Sequence, residues 1–292
     1  MKTLTWIKKN IGNMKGKSVA ISGATGGLGT ELSMHLAGLG ADLILLNRSE
    51  AKSIALGERI KKRYPHTKIT NLIMDLEDAT SVKGATEYLT AHVPDALILN
   101  AGAYHIPRHV CSTGYDNVFQ INCVAPYYLA RTLMPAIIAK GGRIVAVSSI
   151  AHNYSKIDES DVDFSTRKKP SLVYGNAKRH LTYALLSLFD GTDGLSIAHP
   201  GISQTNITAH YPKLVYAIIK YPMRVIFMRP RRACLSVLQG IVDGCNSREW
   251  IGPRLFGIWG LPKKKALKTA NESEIRRIAD IAEEYYERFK NA

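Results

Sequence analysis

Tyr174 and Lys178, four residues apart, are the pair in this chain best suited to moving a proton. On a helix that spacing puts both side chains on one face. A free phenol ionises near ~10, too high for efficient exchange at neutrality. A neighbouring ammonium favours the phenolate, each unit of lowering needing about 1.4 kcal/mol of differential interaction. The bland reading is also available, because Tyr174 is one of 14 tyrosines and could pack in a core beside a solvated lysine.

A second feature supplies context. Ser22-Gly23-Ala24-Thr25-Gly26-Gly27-Leu28-Gly29 spaces its glycines as G-x-x-x-G-x-G, a relative of the G-x-G-x-x-G dinucleotide fingerprint. Glycine permits the turn and lets a phosphate approach the backbone, and a helix starting there aims its positive end at a pyrophosphate. About 20 residues further on, an NAD-type site carries Asp or Glu for the ribose 2′-hydroxyl. Here stand Asn47, Arg48 and Ser49. Arg48 can grip a 2′-phosphate bidentately and that turn holds no carboxylate to repel it, so NADP(H) is expected over NAD(H). Otherwise Arg48 is an ordinary surface arginine.

Positioning these groups requires a scaffold, and the chain reads as one. Apolar runs at Lys17–Ser22, Asp42–Leu46, Lys68–Met74, Asp95–Leu99, Arg143–Val147 and Leu195–Ala198 predict strands. Helical spacing predicts helices over Leu28–Leu39, Ile54–Tyr64, Ala79–Ala91, Tyr115–Ile138 (bent or interrupted near Pro126 and Pro135), Leu172–Phe189 and Asn271–Phe289. Asn271 and Glu274 form a candidate cap pair, and Trp250-Ile251-Gly252 a candidate edge strand. Uniformly apolar strands alternating with helices imply an α/β fold: a single doubly wound Rossmann-type domain, with a parallel sheet covered on both faces. A basic extension over residues 1–16 precedes a domain over 17–292.

Composition bounds the remainder. The 292 residues are 46% hydrophobic and 22% charged, with a net charge of +15. The basic clusters are far apart in sequence and no zinc-finger or RNP-type pattern accompanies them, so no nucleic-acid partner is expected. Cys111, Cys123, Cys234 and Cys245 form no C-x-x-C pair and read as reduced thiols of a cytoplasmic protein. His105 and His109 have the spacing of a zinc pair but no third ligand, so no metal is expected. Leu214 to Met228 is too short and too charged to span a bilayer; as a lid it suits an apolar substrate. Contact of that segment, or of the N-terminal Trp6-Ile7-Lys8-Lys9, with a membrane surface stays open.

Taken together, Ser22-Gly23-x-x-x-Gly27-x-Gly29, Asn100-Ala101-Gly102, Ser149, Tyr174-x-x-x-Lys178 and Pro200-Gly201 resemble, in order and strand position, the short-chain dehydrogenases/reductases. The resemblance runs from about Lys17 to Thr205. It implies a catalytic set of Tyr174, Lys178, Ser149 and Asn122, the last in a helix kink. It also implies that Ser22, Gly23, Thr25, Gly26, Gly27, Leu28 and Gly29 cradle the cofactor, with Asn47, Arg48 and Ser49 at its ribose. Asp75 and Leu76 would meet the adenine, Asn100 would brace the sheet, and Ala101 and Gly102 would pass alongside. Pro200, Gly201, Ile202 and Thr205 would lie at the nicotinamide, Thr205 on its carboxamide. Ser148 should point to the opposite side from Ser149. The long loop with Asp158, Glu159, Asp161 and Asp163, together with Ser149-Ile150-Ala151-His152, is similar to the retinol-dehydrogenase-like branch and its bacterial relatives.

The resemblance implies hydride exchange between nicotinamide and an alcohol or carbonyl of a lipophilic small molecule, such as a steroid, bile acid, retinoid-like alcohol or ketone, in a homodimer or homotetramer. The alternative is a non-catalytic NADP-binding regulator of the same fold, against which the intact Ser149, Tyr174 and Lys178 argue. The helical lid is expected over about residues 206–240.

Overall fold

In the computed structural model, which describes residues 3–201, 228–245 and 248–292, one sheet organises the chain. Its strands are Ser18–Ser22 (β1), Asp42–Asn47 (β2), Ile69–Ile73 (β3), Ala96–Leu99 (β4), Arg143–Val147 (β5), Leu195–Ala198 (β6), Glu249–Leu255 (β7) and Trp259–Ala266 (β8). They lie in the order β3-β2-β1-β4-β5-β6-β7-β8. All neighbours are parallel except β7 and β8. The order reverses between β1 and β4, which opens a crevice at the carboxyl ends of those strands.

Alternation along each strand feeds two cores. Val19 and Ile21 of β1 pack with Leu43, Leu45 and Ile98 on one face, whereas Ala20 packs with Ile44, Leu97 and Ile144 on the other. Both faces are covered, as uniformly apolar strands require. The first face is closed by Gly27–Gly38 (α2) and by a short helix Thr3–Asn10 (α1), whose Trp6 and Ile7 are buried there. The basic N-terminal segment thus covers that face with its two large apolar residues. The second face is closed by Ala125–Ala139, Pro170–Leu188 and the terminal helix Glu272–Asn291. Among the described residues no helix is long and apolar enough to cross a membrane.

Three local expectations are revised. The long helix expected over Tyr115–Ile138 is interrupted, but ahead of both prolines: a helical turn Asn117–Phe119 runs into a π segment Gln120–Val124, and only then does Ala125–Ala139 begin. Pro126 sits at the start of that last helix, where a missing N–H is tolerated, and Pro135 lies inside it. Asn271 caps the terminal helix by accepting from the Ser273 amide. Glu274 does not join it, because its carboxylate is engaged by Arg179 with two contacts of 2.6 Å. Trp250-Ile251-Gly252 is interior, since β8 covers it as the true edge. The expected lid falls largely outside the described residues; within its range the structure shows Pro230–Ala233 and Leu235–Val242 as helices.

Two buried histidines should make the fold acid-sensitive. Burial pushes His180 down to about 3 and His199 down to about 4. Below their unfolded value near 6.5 the unfolded chain binds protons that the folded chain refuses, so stability falls as pH falls from there toward 4. The slope is about 1.4 kcal/mol per pH unit for each histidine. The urea midpoint should therefore be lower at pH 5 than at pH 7, and less so in a His180→Gln, His199→Gln variant. Equal wild-type midpoints at the two pH values would refute this.

Candidate active site

The glycine turn after β1 is built so that only glycine fits. Gly23 has φ +63, and a Cβ there would meet Ala101 Cα at 3.0 Å. A Cβ on Gly29 would lie 2.2 Å from the Gly23 carbonyl oxygen. Gly26, the N-cap of α2, offers no side-chain cap, so among the described residues no N-cap side chain meets the first-turn amides. Those amides and the helix's positive end suit an anionic ligand. Gly29→Ala should destabilise the protein by about 1–3 kcal/mol through overpacking against backbone. Chemical denaturation tests this, and an unshifted midpoint would show that the turn gives way freely.

Ser22 and Asn100 lock the crevice. Ser22 Oγ accepts from the amides of Asn100 (2.9 Å) and Ala101 (3.0 Å). The Asn100 side-chain amide donates back to the carbonyls of Ser22 (2.9 Å) and Gly23 (3.1 Å). The ends of β1 and β4 are thereby cross-braced by Ser22 and Asn100.

At the end of β2, Asn47 is buried and bridging. Its Oδ1 accepts from the amide (3.0 Å) and hydroxyl (3.2 Å) of Thr25, and its Nδ2 donates to Ser53 Oγ at 2.8 Å. It shapes the turn through Thr25. Ser49 caps the helix Glu50–Arg63, and Arg48 is left outside with its side chain 73% exposed. The fold adds what the β2 turn itself did not show: Asp75 and Glu77 come within 4.0 and 3.9 Å of the Arg48 guanidinium. Carboxylates therefore do stand beside this position, brought from the end of β3. Leu76, between them, is buried.

The proton-handling groups converge across β4 and β5. Ser149 follows β5 in an extended conformation and starts the 3-10 turn Ile150–Tyr154. Ser148 faces the other way, buried against the Thr182 hydroxyl at 2.8 Å. Tyr174 and Lys178 share a face of Pro170–Leu188, the Lys178 ammonium lying 5.7 Å from the Tyr174 ring centroid. That ammonium donates to the Val147 carbonyl at 3.1 Å. Asn122 sits in the π segment, where its amide donates to the carbonyls of Ala103 and Val118, each at 2.8 Å. A Cβ on Gly102 would fall 2.8 Å from Asn122 Oδ1 and 3.7 Å from Lys178 Nζ, so these three residues meet at one point.

The electrostatics differ from the simple tyrosine–lysine argument. Burial pushes the Tyr174 phenol up to about 12, opposed by its hydrogen bond with Ser149 and reinforced by Tyr104. Burial likewise pushes Lys178 down to about 8. In the folded chain, desolvation thus acts against the expected acidification. Tyr104 packs edge-on to Tyr174 with centroids 5.4 Å apart. Sequence reasoning missed it, although it lies just beyond Asn100-Ala101-Gly102 and its neighbourhood could have flagged it.

Pro200 and Gly201 follow β6; Gly201 has φ +80 and is packed so that a Cβ would lie 2.7 Å from the Ile258 carbonyl oxygen. Ile202 and Thr205 lie outside the described residues. His109 pairs with Glu77 at 3.1 Å. Among the described residues no group of three His, Cys, Asp or Glu is placed to hold a metal ion.

Comparison with known proteins gives this arrangement a class. A family model described as short chain dehydrogenase matches residues 17–160. Retinol dehydrogenase 14 of Mus musculus is 27% identical over 293 residues, spanning 93% of this chain and 86% of the relative. Polyprenol dehydrogenase of Homo sapiens is 26% identical over 203 residues, 65% of this chain and 62% of the relative. Among solved structures, a 3-oxoacyl (acyl-carrier-protein) reductase from Agrobacterium tumefaciens with NADP bound matches with a TM-score of 0.63 at 19% identity, over 82% of this chain and 94% of that one. The chain belongs to the short-chain dehydrogenase/reductase family of oxidoreductases. Within it, retinol dehydrogenases 14 and 13 of Homo sapiens are also similar to this chain, each 26% identical.

Proposed function

We propose that this protein is an NADP(H)-dependent oxidoreductase that interconverts an alcohol and its carbonyl on a lipophilic small molecule. The observation that carries this reading is the convergence of Asn122, Lys178 and Gly102 at one point, with Tyr174 and Ser149 beside it at the mouth of the crevice.

The residues fit a nicotinamide dinucleotide. The Gly23–Gly29 turn, with its uncapped helix amides, suits the pyrophosphate. Arg48 suits a 2′-phosphate, Asp75 and Leu76 would meet the adenine, and Lys178 would hold the nicotinamide ribose. When bound, that cofactor supplies or accepts the hydride. The chain handles the proton. Ser149 Oγ hydrogen-bonds the substrate oxygen, and Tyr174 Oη, kept protonated by burial, gives its proton to that oxygen as the carbonyl is reduced. Lys178, anchored on the Val147 carbonyl, and Asn122 in the π segment then supply the route by which the phenol regains a proton.

A lipophilic substrate is supported by the rim of the site. The turn between β7 and β8 brings Gly257 against Ile150, immediately after Ser149. Phe256 on that turn is 88% exposed, and Leu255 and Trp259, at the strand ends flanking it, are exposed too. An apolar rim beside a proton donor suits a hydrophobic alcohol or ketone better than a sugar or an acid. The test is NADPH consumption across steroid, bile-acid, retinoid, polyprenal and simple ketone panels, with NADH in parallel. Turnover of a hydrophobic carbonyl with NADPH is the expected result. NADPH binding without turnover anywhere in the panel would favour the non-catalytic regulator.

A further inference from the structure

Behind Ser149 lies a buried polar network that the proposed chemistry does not use. Arg179, the residue after Lys178, directs Nε and Nη2 to the two carboxylate oxygens of Glu274, each at 2.6 Å. Its Nη1 donates to the His152 carbonyl at 2.9 Å. His152 in turn places Nδ1 2.6 Å from the Ser149 carbonyl and Nε2 3.0 Å from the Thr269 hydroxyl. The Tyr183 hydroxyl donates to the Thr269 carbonyl at 2.6 Å. Arg179, Glu274 and His152 are all buried.

The bonding fixes the imidazole's protonation. A carbonyl only accepts, so Nδ1 carries the hydrogen given to Ser149; Nε2 is then the acceptor for the Thr269 hydroxyl. A buried ion pair such as Arg179–Glu274 is weak evidence of net stabilisation, which leaves its placement to be explained. What it does geometrically is clear. The turn carrying Ser149 is clamped to the helix carrying Tyr174 and Lys178 at two points. One is Arg179 on the His152 carbonyl. The other is Gly175, next to Tyr174, where a Cβ would stand 2.4 Å from the Ala151 carbonyl oxygen.

We propose that His152, gripped by Arg179 and Thr269, is a positioning residue that fixes the backbone of Ser149 so that its hydroxyl meets the substrate oxygen together with Tyr174. This rests on the reading of Ser149 and Tyr174 as the catalytic pair. Catalysis is sensitive to displacements of about 1 Å, which cost on the order of 100-fold.

The test uses the full chain with NADPH and the most active carbonyl of the panel above. His152→Phe keeps the ring but loses the donor; His152→Asn places an amide N–H where Nδ1 stood. His152→Phe should lower kcat by about 10- to 100-fold with KM for NADPH unchanged, and His152→Asn should recover most of it. In a Ser149→Ala background, His152→Phe should cost less than about twofold, because the residue it acts through is gone. Arg179→Lys, which keeps the charge for Glu274 but not the fork, should give an intermediate loss and covers the case in which His152→Phe does not fold. Equal losses from His152→Phe in both backgrounds, an Asn variant as impaired as Phe, or a folded Arg179→Lys with unchanged kcat would each overturn the proposal while leaving the catalytic reading intact. A Ser149→Ala variant that turns over like wild type would overturn both.

Discussion

Tyr174→Phe should retain NADPH binding and the wild-type melting temperature yet lose turnover by about two to four orders of magnitude, the range typical of a positioned general acid or base. The substitution removes one hydroxyl from a half-buried ring that stays packed edge-on against Tyr104. The Lys178 ammonium keeps its bond to the Val147 carbonyl, so the floor of the site is preserved. Cofactor titration by fluorescence and single-turnover kinetics separate the two effects. Turnover within a fewfold of wild type would remove Tyr174 from the chemistry.

Arg48→Gln should weaken NADPH binding by about 10- to 100-fold and leave NADH nearly unchanged. The estimate takes about 1.5–3 kcal/mol for hydrogen bonds to a charged group, at about 1.4 kcal/mol per tenfold. The carboxylates of Asp75 and Glu77 sharpen the prediction, because without the guanidinium they would face the 2′-phosphate directly. Dissociation constants for the two cofactors, measured at one ionic strength, decide it. An unchanged NADPH-to-NADH ratio would make Arg48 the ordinary surface arginine of the bland reading.

These neighbours of Arg48 show where sequence reasoning stops. Asn47 and Arg48 could be placed at the ribose because they end an apolar strand at a set distance from the glycine turn. Asp75 and Glu77 follow the next strand, and their approach depends on a pairing register, Asn47 opposite Ile73, that no local pattern reveals. The same limit hid β8. Its Pro262-Lys263-Lys264-Lys265 reads as a polar loop because an edge strand can leave charged side chains in water. It hid the π segment too, since Gln120–Val124 differs from an α-helix by backbone spacing rather than residue type. Interior strands and the helices between them were legible because burial on both faces forces continuous apolar runs. The gathering of Asn122, Ser149, Tyr174 and Lys178 was legible only through the resemblance; the roles of Tyr104 and Arg179 required the packing.

The outer strand has a consequence for association. Pro262 offers no N–H, and exposed Lys263 and Lys264 stand along the margin that a further strand would have to join. Growth of the sheet from that side would bring identical lysines on two chains close together. Templated aggregation through this rim is thus disfavoured by charge and backbone alike.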